Sequence, residues 1–176
     1  MNTPILETER LLLRPMTAAD AQSAYDNWTS DAEVARFMRW ERHRDVSETI
    51  AWLKAEETAA QSEDVWNWGI VWKPSGELIG SVGLVMNEKE GLFELGYNVM
   101  RACWGKGVAT EAAKRVIDFG RDELGLTRFF CCHAKDNPAS GRVMQKIGFR
   151  YRSDGEYFSW DGKRRFEARE YLLTDA

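Results

Sequence analysis

At 176 residues the chain is long enough to bury one hydrophobic core and short for two domains. Its composition, 44% hydrophobic and 30% charged, is that of an ordinary globular protein rather than a disordered or fibrous one. The formal charge is −4 and Lys and Arg are scattered among Asp and Glu, which argues against nucleic acid as a partner; no apolar run approaches the ~20 residues that span a bilayer, so no membrane partner is expected.

The polar N-terminus lacks the charged-then-apolar layout of a signal peptide, and a cytoplasmic location is expected. Cysteine usage agrees. Cys103, Cys131 and Cys132 are odd in number, and the last two are neighbours in a strand-like run, where their side chains point to opposite faces. The sequon Asn27-Trp28-Thr29 carries no meaning without secretion.

In chain order, Arg10 to Arg14 reads as a first strand stopped by Pro15. Thr17 is placed to cap a helix from Ala18 to about Trp28, Ser30 a short one through Phe37, and Ser47 a third to about Ala60. The Arg-rich stretch between Phe37 and Ser47, with Trp40 and His43, reads as a surface loop. Val65 to Trp72 alternates with Trp66, Trp68, Ile70 and Trp72 on one face, turns at Pro74-Ser75-Gly76, and returns as Leu78 to Val85. After a turn from Asn87 to Gly91, Leu92 to Val99 places Phe93, Leu95, Tyr97 and Val99 on one face and Glu94, Gly96 and Asn98 on the other.

From Gly107 to about Leu124 the apolar residues recur with helical period, and Gly125 suits a left-handed helix end. Thr127 to His133 is nearly continuously apolar, as buried strands are. Asn137 and Pro138 open another helix that ends at Gly148, followed by strand from Phe149 to Tyr151. A last pair, Gly155 to Trp160 and Phe166 to Leu173, closes the sheet across Asp161-Gly162. Residues 1–176 are thus expected to form a single α+β domain.

The stretch Trp104-Gly105-Lys106-Gly107-Val108-Ala109-Thr110-Glu111-Ala112 carries the most chemistry. It turns a strand into an amphipathic helix, leaving unpaired backbone N–H groups at the positive end of the helix dipole. Such a site holds an anion, most often a pyrophosphate. Gly105 and Gly107 let the backbone approach closely. About one βα unit later comes Asn137-Pro138-Ala139-Ser140.

Together these segments resemble the GCN5-related N-acetyltransferases (GNAT): the first is similar to their coenzyme-A loop, and the second, with Lys146-Ile147-Gly148-Phe149, to their next conserved segment. The opening Leu6-Glu-Thr-Glu-Arg-Leu-Leu-Leu-Arg14 resembles the branch that acetylates ribosomal-protein N-termini. The resemblance covers residues 5 to 173. It implies a GNAT fold: a mixed, mostly antiparallel sheet of about seven strands, splayed into a central V and flanked by about four helices. It implies an acyltransferase that moves acetyl from acetyl-coenzyme A to a primary amine by direct attack. Backbone from Trp104, Gly105, Lys106, Gly107, Val108, Ala109 and Thr110 would hold the pyrophosphate. The pantetheine would lie along Tyr97, Asn98 and Val99, whose main chain would polarise the thioester carbonyl as an oxyanion hole does. The family places Gln or Arg where Trp104 stands, so that side-chain contact is lost.

Asn137 is a helix cap on local grounds and, by resemblance, also lies near the pantetheine. Ser140 is either a solvent-facing helix residue or the proton donor to the departing thiolate. Acetyl transfer needs a neutral amine and hence a base. Glu94, on the polar face of the thioester-holding strand, is the leading candidate, and its plain alternative is a carboxylate paired with an Arg. His133 is a second candidate. Cys103 would imply an acetyl-cysteine route that the family does not usually take. Trp28, Trp40 and Trp52 either line an aromatic acceptor pocket or fill core, while His43 and neighbouring arginines are candidates to receive an anionic or peptide acceptor. The His and Cys residues lack metal-ligand spacing, so no metal is expected. The acceptor is either a protein N-terminus or a small amine, and a homodimer is left open. A coenzyme-A-binding sensor without turnover is the rival from another class, and a different nucleotide-binding protein using the glycine loop is the weaker one.

Overall fold

The computed structural model describes residues 3–174. Its sheet has eight strands in the order β1-β2-β3-β4-β5-β6-β8-β7. They are β1 (Leu6–Glu7), β2 (Leu11–Arg14), β3 (Val65–Trp72), β4 (Glu77–Asn87), β5 (Leu92–Val99), β6 (Arg128–Ala134), β7 (Arg150–Phe158) and β8 (Arg165–Thr174). Neighbours are antiparallel except β5 and β6. The count exceeds the expected seven because Leu6–Glu7 forms a two-residue edge strand, too short to carry any periodicity. The strands expected over residues 149–151 and 155–160 are one: β7, Arg150–Phe158, joins them and stops two residues short of Trp160. Its register shifts between Tyr151 and Ser153, so the intervening Arg152 breaks the alternation a reader of the sequence would follow.

Helices cover both faces. On one, α4 (Val108–Asp122) and α5 (Pro138–Ile147) lie on the main core. Trp66, Trp68 and Ile70 point into that core from β3, as their alternation predicts, and Phe119 of α4 meets both indoles with ring centroids 5.3 Å apart. Gly120 follows it because a Cβ there would press on Phe129 and Leu84, so the helix can lie close to the sheet. On the other face sit α1 (Ala21–Ala24), α2 (Ala32–Ala35) and α3 (Val46–Ala59), packed around Trp28, Leu53, Val71 and Leu78.

The expected helix from Ala18 to Trp28 is in three pieces: a 3₁₀ turn (Ala18–Asp20), α1, and a wide π turn (Tyr25–Thr29). The caps also fall earlier than expected. Asp31, not Ser30, accepts from the Glu33 N–H, and Asp45, not Ser47, accepts from the Ser47 N–H at 2.8 Å. Both short polar residues could cap on local grounds, and here the carboxylates do so. Among the described residues no helix is long and apolar enough to cross a membrane.

Phe119 is the joint between α4 and the tryptophans of β3. Phe119→Ala is expected to lower the unfolding free energy by about 3–5 kcal/mol, whereas Ile5→Ala, at a position 63% exposed, stays within about 0.5 kcal/mol of the parent. Denaturant titration of the two variants checks both values.

Candidate active site

β5 and β6 pair in parallel at only two positions, Phe93 with Phe129 and Glu94 with Phe130. Past Glu94 they part, and the Cys131 thiol donates across the gap to the Leu95 carbonyl at 3.2 Å. Residues Gly96 to Val99 continue β5 with β4 on one side and no ladder to β6 on the other. Backbone groups of alternate residues face the same side of a strand. Leu95 faces the gap, so the main-chain N–H and C=O of Tyr97 and of Val99 face it too.

A cavity of about 430 Å³ opens where the strands part, a size typical of small-molecule sites. Its walls are Tyr97, Asn98 and Val99 of β5, Gly105, Gly107, Val108, Ala109 and Thr110 of the glycine loop and α4, and Asn137, Ser140, Arg142 and Lys146 of α5. Glu33, Val34 and the segment from Arg36 to Met38 close the side toward α2.

The loop is built for its place by its glycines. Gly105 (φ 73°) and Gly107 (φ 77°) both take the left-handed conformation, which other residues adopt only with strain. A Cβ on Gly105 would meet nothing within 4 Å, so conformation, not crowding, demands glycine there. Gly107 caps the 15-residue α4, and the N–H groups of its first turn have no carbonyl behind them within the helix. Arg142 and Lys146, one turn apart on α5, add positive charge across the cavity. Lys106, expected to contribute backbone, is not among the lining residues. Trp104 does more than fill the place of a Gln or Arg. Its indole N–H donates to the Val99 carbonyl at 2.8 Å, bracing the end of β5 and occupying that acceptor.

At the other end of the cavity the Tyr97 phenol donates to the Ser140 carbonyl at 2.9 Å and lies 2.8 Å from Ser140 Oγ. Burial pushes the Tyr97 pKa well above its ordinary value, so the phenol stays protonated at neutral pH. Asn137 caps α5 through its side-chain oxygen, 3.4 Å from the Ser140 N–H, and its position on the cavity wall allows both roles expected of it. Asn98 donates to Ser81 Oγ at 2.9 Å, while its side-chain oxygen is buried without a partner among the described residues.

The other candidates lie elsewhere. Glu94 does not line the cavity: Asn87 donates to it at 2.8 Å, Cys132 at 3.5 Å, and Arg39 pairs with it at 3.7 Å. The Arg39 guanidinium in turn sits over Tyr157 and Trp160, 4.9 and 5.3 Å from the ring centroids. His133 is buried beneath α5. Its Nδ1 donates to the Ala134 carbonyl at 2.7 Å, leaving Nε2 to accept from Tyr171 at 3.3 Å. Burial lowers its pKa, Gly141 leaves only enough room for the ring, and His133 is not among the residues that line the cavity. Trp28 is fully buried, with Trp40 and Trp52 packed on the same second core, and His43 is held between those two rings and the Thr49 hydroxyl. None of the four lines the cavity. The contact of the Tyr97 phenol with Ser140 is not legible in the sequence, because the two residues lie 43 positions apart.

Residues 10–150 match the family profile described as the acetyltransferase (GNAT) domain. An uncharacterised N-acetyltransferase of Bacillus subtilis (strain 168), YoaA, is 33% identical over 147 residues, covering 83% of this chain and 82% of that protein. Among solved structures, the microcin C7 self-immunity acetyltransferase MccE in complex with acetyl-CoA and AMP superposes with a TM-score of 0.83 at 18% identity, over 96% of this chain and 94% of that one. The ribosomal-protein-S5-alanine acetyltransferase from Vibrio fischeri gives 0.79 at 16% identity, over 98% and 97%. At these identities the two structures share the fold.

Burial raises the thiol pKa of Cys103, the cysteine on the cavity wall, and of Cys131 and Cys132 on β6. At pH 7.5 all three are expected to alkylate more slowly with iodoacetamide than free glutathione does. Mass spectrometry of a labelling time course checks this, and rapid capture at Cys103 would contradict it.

Proposed function

Since the chain belongs to the acetyltransferase (GNAT) family and is an N-acetyltransferase that draws on acetyl-coenzyme A, we propose that the cavity at the parting of β5 and β6 is where the thioester meets an amine. The observation that carries this reading is the two-residue parallel ladder, which leaves the main chain of Tyr97 and Val99 open beside a glycine loop and Ser140. An extended pantetheine arm completes such an edge as a strand would. The diphosphate lies on the N–H groups of the loop and the first turn of α4, aided by Arg142 and Lys146. With the Val99 carbonyl taken by Trp104, the gap-facing groups left for the arm and the thioester oxygen are the Tyr97 N–H and C=O and the Val99 N–H.

Attack is direct: the amine nitrogen bonds to the thioester carbon, and the carbon–sulfur bond then breaks. Ser140, held by the Tyr97 phenol 2.8 Å from its Oγ, protonates the departing sulfur and regains a proton from water as coenzyme A leaves. The amine approaches from the other face of β5, where Asn98 lies. Glu94 shares that face but stands four residues down the strand, about 13 Å away, so the amine's proton reaches it along a chain of several water molecules. The acceptor is a peptide N-terminus or a small amine, entering past Glu33 to Met38. Three unpaired cysteines fit a reducing, cytoplasmic setting.

Thiol release from acetyl-coenzyme A over a panel of N-terminal peptides, polyamines, amino acids and aminoglycosides names the acceptor class. Ser140→Ala is expected to lower kcat by about 10²-fold with little change in the KM for acetyl-coenzyme A. Glu94→Gln is expected to lower kcat mainly at low pH, where a base is most needed. Unchanged kcat in Ser140→Ala ends its role as acid, and coenzyme-A binding without turnover of any amine would favour a sensor.

A further inference from the structure

Arg10 stands at the start of β2, about a hundred residues from the glycine loop, yet it holds that loop from behind. Its Nη1 donates to the Lys106 carbonyl at 3.0 Å. Its Nε and Nη2 both reach Glu111 Oε2 at 2.7 Å, and its main-chain N–H donates to Oε1 at 3.0 Å. The Thr8 hydroxyl donates to the same Oε1 at 2.6 Å. Burial alone would raise the Glu111 carboxyl, but these donors hold it below the usual range, so it stays ionised. The guanidinium also lies over Trp72, 5.5 Å from the ring centroid, and the Lys73 N–H donates to the Arg10 carbonyl at 3.0 Å. Arg10 is thereby fixed to the sheet.

A trans peptide directs its N–H opposite its carbonyl. Gripping the Lys106 carbonyl on the Arg10 side therefore aims the Gly107 N–H the other way, toward the cavity that Gly107 lines. Gly107 itself is too free to hold that orientation, since glycine visits many conformations at little cost. We propose that Arg10 is a positioning residue for the coenzyme-A diphosphate: through Lys106 and Glu111 it locks the loop with its amides facing the anion. This rests on the loop being the diphosphate site. It gives the opening Thr8-Glu9-Arg10 a task in the reaction, although it lies outside the cavity wall.

Arg10 carries a positive charge, so simple attraction is the competing explanation, and Glu111 separates the two. If Arg10 acts by charge, Glu111→Gln removes a nearby negative charge and tightens acetyl-coenzyme A. If it acts by orientation, Glu111→Gln loosens the grip and weakens binding. The experiment is a fluorescence titration of the full chain and of Arg10→Met, Glu111→Gln and Gly107→Val with acetyl-coenzyme A and with S-acetylpantetheine, which lacks the diphosphate. Arg10→Met and Glu111→Gln are expected to weaken acetyl-coenzyme A about tenfold, as loss of one oriented charge-assisted hydrogen bond does, and to leave S-acetylpantetheine within about twofold. Unchanged acetyl-coenzyme A affinity in Arg10→Met, equal losses for both ligands, or tighter binding in Glu111→Gln overturns the proposal. If Arg10→Met does not fold, Glu111→Gln carries the same comparison. Gly107→Val tests the premise: a selective loss there with an indifferent Arg10→Met refutes Arg10 alone, while indifference in both removes the loop as diphosphate site.

Discussion

Everything about the site depends on how briefly β5 and β6 stay together. Two paired positions, Phe93 with Phe129 and Glu94 with Phe130, join the N-terminal half of the sheet to the C-terminal half. A longer ladder would close the seam and consume the backbone groups of Tyr97 and Val99. A shorter one would leave the halves joined by side chains alone. The Cys131 thiol bridging to the Leu95 carbonyl marks where backbone pairing gives way to side chains. From there β6 leads into α5, which carries Ser140 back over β5, and β5 leads through Trp104 into the glycine loop. Both walls of the cavity thus spring from one divergence.

The two ends of the cavity are held by different means. At the end where the strands part the contacts are short and local to the gap, Tyr97 to Ser140 and Trp104 to Val99. At the loop end, glycine supplies the conformations but no rigidity, and rigidity comes from Arg10 and Glu111 behind it. Buried phenol and thiols are neutral at physiological pH, and Glu33 and Arg36 on the wall pair with each other at 3.8 Å, so the excess charge near the cavity is the positive charge of Arg142, Lys146 and the helix end, which suits an anionic ligand.

Much of this was legible in the sequence. The alternation of Trp66, Trp68 and Ile70, the helical period of α4, and the glycines at 107, 125 and 148 all reported real local constraints, because each sets a face or a left-handed turn. The loop and Ser140 were found because their motifs are contiguous. What escaped was anything whose cause is distant or breaks a period. Arg152 disrupts the alternation of β7, the π turn after α1 imitates plain helix, and Asp and Ser beside each other at a helix start cap equally well on paper. A strand pattern gives the face of Glu94 but not its partner Arg39, which comes from 55 residues earlier. Arg10 looked like the edge of a strand because nothing near it in sequence announces Lys106 or Glu111.

The lip of the cavity toward α2 is held in a particular way. The Arg164 guanidinium, from the turn before β8, donates to the carbonyls of Met38 and Trp40 at 3.0 and 2.9 Å, the Tyr157 hydroxyl donates to the Phe37 carbonyl at 2.6 Å, and the Trp160 N–H donates to the Arg39 carbonyl at 2.8 Å. Every one of these grips main chain. A carbonyl is the same whatever side chain it carries, so the lip keeps its course when its side chains are exchanged. Residues such as Arg36 and Met38 are therefore free to drift while the scaffold stays put, and if the acceptor enters past them as proposed, this rim is the inexpensive place for the protein to acquire a different substrate.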